Sequence, residues 1–329
     1  MSDTDPFKLV VIGGGTGSFA LLGELKKLTP NITAIVNMSD DGGSTGVLRD
    51  ELGVLPPGDA RQCLVALSES DEIRNLFSYR FSDGRFEGHS IGNIILSALE
   101  LQHGSFGEAI RVASDILNIT GKVVPVTFDK STLVMVDGAE TISGEHLIGH
   151  HPISNRNALL SLSPKAEINP DATLALAAAD LIVIAPGNLY GSLLPIFTVG
   201  GFSEAMRDSS AKIVCVTNLV TKPGQTDGWH VVDFVKEFER YLGEDQIDIV
   251  LYNDTPISDE LLNRYAEDGE YPVGTAEYRF NEVHIEAMPA RLVSKEIAQQ
   301  DPNDKAIRRT LIRHDGHQVG VQLLKILSS

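Results

Sequence analysis

Cysteine is nearly missing from this chain, with two residues in 329, Cys63 and Cys215. Both sit in apolar runs, Cys63-Leu64-Val65-Ala66-Leu67 and Ile213-Val214-Cys215-Val216, without metal-ligand spacing. They read as buried free thiols, and a disulfide scaffold or a zinc ribbon is excluded. Positive charge is also scarce: 27 Lys and Arg stand against 45 Asp and Glu, a net charge of −18. A nucleic-acid binder needs a basic face that neutralises backbone phosphates, so no nucleic-acid partner is expected. Long apolar runs are lacking too. The longest, Leu174 to Ile184, is interrupted by Asp180 and stopped by Pro186-Gly187, too short and broken to cross a bilayer. The chain opens with Ser2, Asp3 and Asp5, where a secretory signal would carry cations and an apolar segment. The expectation is no membrane insertion and a reducing, cytoplasmic location. Nor is there a Gly-Lys-Thr P-loop, a Gly-x-Ser-x-Gly elbow or a His-Glu-x-x-His zinc motif.

Apolar residues make up 42% and charged residues 22%, ordinary for a globular chain with a sizeable core. Phe7 to Ile12 is a β-branched run, followed by Gly13-Gly14-Gly15-Thr16-Gly17, helical spacing over Ala20 to Leu28, and a second strand from Ile32 to Met38. Strand, glycine loop, helix and strand in this order imply a βαβ unit in a parallel sheet. Residues 39–58 read as a polar loop, with Asp59 as the N-cap of the next helix. Helices are expected over 71–80, 92–103 and 106–118. Between Val123 and Ser163 the pattern turns to short strands, with Asp137-Gly138 as a hairpin turn. Strands at 181–185, 212–217 and 247–252 then alternate with helices at 190–197, 229–242 and 258–267, and an amphipathic helix closes the chain over 316–328. The fold class expected is α/β, a Rossmann-like, doubly wound, mostly parallel sheet. It forms a single domain over residues 1–329 with an embedded β-rich sub-domain at about 122–165.

Ligands of open α/β sheets bind beyond the carboxyl ends of the strands, and four such ends carry unusual loops. Gly14, Gly15, Thr16 and Gly17 let backbone N–H groups and a helix N-terminus approach a phosphate. Ser18 stands where a dinucleotide fingerprint needs a third glycine, so no nicotinamide cofactor is expected, nor a flavin. Asp40-Asp41-Gly42-Gly43-Ser44 pairs two carboxylates with backbone donors and a hydroxyl, which suits sugar hydroxyls or a Mg²⁺ bridging to phosphate. Pro56-Pro57-Gly58-Asp59-Ala60-Arg61 places a cation in the first helical turn, which the macrodipole disfavours unless an anion is near. Gly187-Asn188-Leu189-Tyr190 and Asn218 through Lys222 follow later strands and would face the same crevice. His150-His151 would point apart in a strand. His89, at a helix start, is as much a structural as a catalytic candidate.

The sequence resembles the YvcK-like gluconeogenesis-factor proteins, within the superfamily of the CofD-like 2-phospho-L-lactate transferases. The resemblance runs almost end to end. It rests on Gly13 to Gly17, Asp40 to Ser44, Pro57-Gly58-Asp59 with Arg61, Gly88-His89-Ser90 with Gly92-Asn93, Pro186-Gly187 with Leu189-Tyr190, Thr221 with Pro223-Gly224, and Ile312 to Asp315. It implies a Rossmann-like fold, binding of a nucleotide-linked small molecule such as a UDP-sugar, and a regulatory link to central carbon metabolism, cell-envelope precursor supply and cell shape. The transferase branch implies instead a Mg²⁺-dependent transfer of a phospholactyl-type group from a nucleotide diphosphate donor to a deazaflavin. The chain departs from the family pattern at Asn188 and Gly191, at Gln225, at Phe234 after Asp233, and at Gly316.

Read together, the ligand-binding set comprises Gly14, Gly15, Thr16, Gly17, Asp40, Asp41, Gly42, Gly43, Ser44, Arg61, Asn93, Gly187, Asn188, Tyr190, Asn218, Lys222, Tyr265 and Arg313. Tyr190 or Tyr265 would stack on a base, while Arg61 and Arg313 would supply charge. Asp40 and Asp41 are the candidates for Mg²⁺. In a transferase Asp41 and Asp59 would be catalytic, with Asp59 joining the metal ligands. A protein partner and a homo-oligomer both stay open.

Overall fold

The computed structural model describes residues 6–154, 156–294 and 311–328; Ser2, Asp3 and Asp5 lie outside them. Seven strands form one sheet: β1 (Leu9–Ile12), β2 (Ile32–Val36), β3 (Lys122–Pro125), β7 (Leu181–Ile184), β8 (Lys212–Val216), β9 (Ile249–Asn253) and β10 (Glu286–Ala290). Three more, β4 (Thr132–Asp137), β5 (Glu140–Ser143) and β6 (Leu159–Ser163), form a small antiparallel sheet in the order β5-β4-β6. The main sheet runs β10-β9-β8-β7-β1-β2-β3, and all its pairings are parallel.

This order places a topological switch at β1. The chain leaves β1 for β2 on one side, then returns to lay β7 on the other, with Ile12 opposite both Ile35 and Ile184. Loops leaving β1 and β7 therefore diverge, and a crevice opens between them. The strand sequences explain their depth. β1 (Leu-Val-Val-Ile) and β7 (Leu-Ile-Val-Ile) are buried at every position, as strands covered on both faces must be.

Two expectations need correction. Residues 39–58 are not all loop, because Gly43–Leu52 is a helix that ends at Gly53 in the left-handed conformation. Its glycine-rich start reads as loop, yet Thr45, Gly46 and Leu48 are its buried face. The embedded β-rich unit also begins later than residue 122, since β3 takes residues 122–125 into the main sheet. The Asp137-Gly138 hairpin is as expected, with Asp137 paired to Glu140.

The helices that shape the site are α1 (Gly15–Leu25), α2 (Gly43–Leu52) and α3 (Gly58–Leu67). Gly17 sets how closely α1 lies against the loop after β7, because a Cβ there would overlap the Pro186 carbonyl oxygen. On the far side of α1, the last helix, Gly316–Ser328, packs through Gly316, where a Cβ would stand 2.7 Å from the Ala20 carbonyl oxygen. The departure to glycine at 316 is thus a packing feature. Phe234, another of the departures, is buried edge-on against Trp229.

Candidate functional site

The β1 loop is built around Asp59. That residue does not cap α3; Pro57 holds the N-cap position and Asp59 lies in the first turn, fully buried with its carboxyl against the glycine loop. A side chain on Gly14 would overlap the Asp59 carboxyl, and the Gly15 N–H donates to it. Gly15 adopts φ +68, a left-handed conformation that glycine enters without strain. The first-turn N–H groups of a helix have no intrahelical acceptor. Gly15 is engaged by Asp59, and Thr16 and Gly17, in the same first turn, line the crevice.

Four carboxylates crowd behind this loop. Asp40 accepts from the Gly42 N–H at 3.0 Å, and burial, followed by lesser effects including the charge of Asp41, raises its carboxyl above the usual range. Asp59 is pushed up to about 7, chiefly by burial and then by Asp40. Glu145 rises to about 8 through burial and the charges of Asp40, Asp59 and Asp41, with Lys222 opposing. Asp41 is oriented differently: its two oxygens accept the N–H groups of Glu145 at 3.1 Å and His146 at 2.7 Å, capping the helix Glu145–His150. Gly144, just before that helix, has φ +103 and would carry a Cβ only 2.7 Å from Asp41 Oδ2.

This short helix ties three loops together. Lys222 Nζ donates to the Gly149 carbonyl at 2.6 Å, and Gln225 Nε2 donates to the Ile148 carbonyl at 2.8 Å. Glu145 Oε1 fills the space beside Gly191 that a side chain there would need. The departures at Gly191 and Gln225 are therefore linked through one strap. His150 ends this helix, while His151 Nε2 lies 3.2 Å from Asp137 Oδ2. Glu145 was not singled out from the sequence, and no local pattern around it points to the glycine loop.

The opposite wall comes from the β7 and β8 loops. Asn218 holds Gly187 at both ends of its peptide unit: the Gly187 N–H donates to Oδ1 at 3.0 Å and Nδ2 donates to the Gly187 carbonyl at 2.9 Å. Asn188 accepts from the Gly191 N–H at 3.3 Å and starts the turn Leu189–Leu193. The resulting crevice has a volume of about 460 Å³, lined by Gly14 to Gly17, Phe19, Gly187, Asn188, Asn218, Lys222, Glu270, Arg313 and His314. His314 Nε2 donates to the Thr217 carbonyl at 3.0 Å, and burial pushes its imidazole down to about 4, so it stays neutral near pH 7.

The structure brings together Gly14, Gly15, Thr16, Gly17, Gly187, Asn188, Asn218, Lys222 and Arg313 on one crevice. It sets others apart. Arg61 Nε donates to Asn93 Oδ1 at 2.9 Å, Asn93 Nδ2 to Ser44 Oγ at 3.3 Å, and Ser44 lies 3.0 Å from His89 Nδ1. This network joins α2 and α3 to the helix Ile91–His103, with Gly42 and Gly43 opening α2 beside it. Tyr190 is 1% exposed, and burial beside Glu237 raises its phenol. Tyr265 is buried, and its hydroxyl accepts from the Ile312 N–H at 2.9 Å. Neither ring lines the crevice, because both fill core positions; Phe19, 39% exposed at its mouth, is the ring that does.

With this geometry in place, the comparisons are specific. The family model for 2-phospho-L-lactate transferase CofD matches residues 9–293. A Thermotoga maritima protein named "Putative gluconeogenesis factor" is 41% identical over 314 residues, 94% of this chain and 95% of its own. The Bacillus subtilis protein named "Gluconeogenesis factor" is 36% identical over 325 residues, covering 97% of this chain and 98% of its own. Among solved structures, a Bacillus halodurans protein superposes with a TM-score of 0.88 at 34% identity, over 97% of this chain and 100% of the other. The chain belongs to the CofD family, on the branch of the gluconeogenesis factors.

Proposed function

We propose that this member of the CofD family binds a UDP-sugar in the crevice at β1 and acts as a ligand-responsive regulator of carbon flow towards cell-envelope precursors. One observation carries the reading. Thr16 and Gly17, in the first turn of α1, and Gly187-Asn188 line one cavity of about 460 Å³ that also holds Lys222 and Arg313. In a chain of net charge −18, these are the local devices that hold a diphosphate: helix-end donors and two cations. Gly187 carries no side chain to obstruct close approach of a ligand to its backbone, and the nearest atoms to a Cβ there would be those of Leu193, at 3.6 to 3.8 Å. The base would rest on Phe19 and the apolar wall of Leu219 and Ile312. The neutral imidazole of His314 beside them adds no further positive charge.

For Mg²⁺ the residues fit only in part. Asp41 has both oxygens engaged by backbone N–H groups, and no cluster of three or more metal-ligand side chains occurs among the described residues. Asp40 and Asp59 remain, each raised by burial and by a neighbouring carboxylate. Mg²⁺ is commonly held by one or two carboxylates together with a ligand's phosphates, and this pair would supply the protein's share. The cation would offset the charge of the diphosphate and of the carboxylates together.

Titration calorimetry with UDP-glucose and UDP-N-acetylglucosamine, with and without Mg²⁺, tests the reading. Saturable binding is expected, with Arg313→Ala weakening it at least tenfold, about 1.4 kcal/mol. Absence of heat with every UDP-sugar in both conditions overturns it. A second reading, transfer of a phospholactyl-type group, draws on one feature: Asp59 titrates near 7 directly under the glycine loop, poised to exchange a proton. It predicts consumption of a nucleotide diphosphate donor when a deazaflavin is present, and loss of that turnover in Asp59→Asn.

A further inference from the structure

At the opposite end of the sheet from the crevice lies a second cavity, of about 520 Å³. Strand register fixes one wall. Val10 pairs with Thr33, and Thr33 with Lys122. Paired residues point to the same side and alternate residues share a face, so Lys8, Val10, Asn31, Thr33, Lys122 and Val124 form one surface across β1, β2 and β3. The facing wall is the helix Pro170–Ala178. Its Asp171, Leu174, Ala175 and Ala178 line the cavity, and their spacing makes a single stripe. The two alanines leave the space open, and Leu174 at the mouth is 66% exposed.

Two features say what would fit. Among the described residues the lining holds no aromatic ring that could stack on a nucleobase; the walls are aliphatic, from Val10, Val124 and Leu174. The cations are the second feature. Lys26, Lys27 and Lys236 each pair with a glutamate, but Lys8 and Lys122 make no such pair among the described residues, in a chain with 45 acidic residues. Neighbouring strands lie about 4.8 Å apart. Lys8, just before β1, and Lys122 on β3 are separated by β2, two such spacings or about 10 Å, and their long side chains can converge on one head group with Asn31 and Thr33 between them. Asp171 on the other wall leaves the rim with one net positive charge.

We propose that this cavity is a second ligand site, separate from the crevice, for a small organic monoanion with an aliphatic body. A medium-chain carboxylate is the chemical class. Its head group sits between Lys8 and Lys122, hydrogen-bonded by Asn31 and Thr33, and its chain lies against Val10, Val124 and Leu174. Beyond about 300 Å³, a cavity is large enough for such a molecule.

Octanoate is the probe, with octan-1-ol as the neutral isostere and octylamine as the cation. Titration of the full chain, followed by methyl-resolved NMR and calorimetry, should show one octanoate per chain, with shifts at Val10, Val124 and Leu174. Octan-1-ol should bind at least tenfold more weakly, and octylamine should not bind. The double variant Lys8→Glu/Lys122→Glu, at exposed positions, should keep its thermal midpoint and lose at least tenfold in octanoate affinity. Ala175→Phe should abolish binding by filling the cavity; should it fail to fold, the charge-reversal variant decides. Shifts confined to other parts of the chain, equal binding of octan-1-ol, or unchanged affinity in the charge-reversed protein would each overturn the proposal.

Discussion

At Asp59 one side chain fixes the conformation of the glycine loop and the charge state beneath it. Its carboxyl fills the space that Gly14 leaves free and accepts the Gly15 N–H. Burial with Asp40 close by raises it to about 7, and Glu145 reaches about 8. In the unfolded chain these groups ionise near 4. Between pH 4 and 8 the folded protein therefore holds protons that the unfolded chain has lost, and stability falls as pH rises across that window. His314 contributes in the opposite sense: its folded value of about 4 means that stability is lost as pH falls from 6.5 towards 4. Asp59→Asn removes one buried charge and keeps the side-chain shape. Its thermal midpoint should exceed that of the parent at pH 8.5 by a few degrees, with the gap shrinking at pH 5.5. Equal midpoints at both pH values in scanning calorimetry would show that Asp59 titrates normally.

The helix Glu145–His150 is six residues long and too short to be stable alone. It is held by its connections: Asp41 at its start, Lys222 and Gln225 at its end. Asp41→Ala should cost about 1 to 2 kcal/mol through loss of the cap. Amide exchange of residues 145–150 should accelerate more than that of β1, and uniform acceleration would contradict the role of the strap. The contact of α1 with the β7 loop is less forgiving. Gly17→Ala drives a methyl group into the Pro186 carbonyl, so α1 must move and the donors of Thr16 and Gly17 with it. Overpacking of this kind costs about 1 to 3 kcal/mol or more. The variant should lose UDP-sugar binding even where circular dichroism shows it folded.

Across the whole molecule, what the sequence disclosed depended on how local each signal was. The strands at β1, β2, β7, β8 and β9 were legible because uniformly apolar β-branched runs between glycine turns have few other readings. The parallel, doubly wound sheet followed from the alternation of strands and helices, whereas the switch at β1 rests on a strand order that the alternation does not specify. The α2 helix was hidden because glycines stand at its N-terminus, where sequence reads loop and geometry reads helix. The strap was hidden for a different reason. The Glu145 N–H meets the Asp41 carboxylate across 104 residues, and no spacing rule carries information over such a separation. Tyr190 shows the converse error, since an aromatic beside a phosphate loop suggests stacking on a base while packing against Glu237 and Arg240 places it in the core. Arg61 and Asn93, also read as ligand contacts, hold each other behind the loops.

The acidic character of the chain sharpens the test, because a diphosphate can settle only where backbone donors and cations outweigh the surrounding carboxylates. A crystal structure of the protein soaked with UDP-N-acetylglucosamine tests that directly. The diphosphate should lie within hydrogen-bond reach of the Thr16 and Gly17 N–H groups and of Gly187-Asn188, with Arg313 or Lys222 against it. A nucleotide bound at any other surface, with the crevice holding only solvent at saturating ligand, would contradict the account.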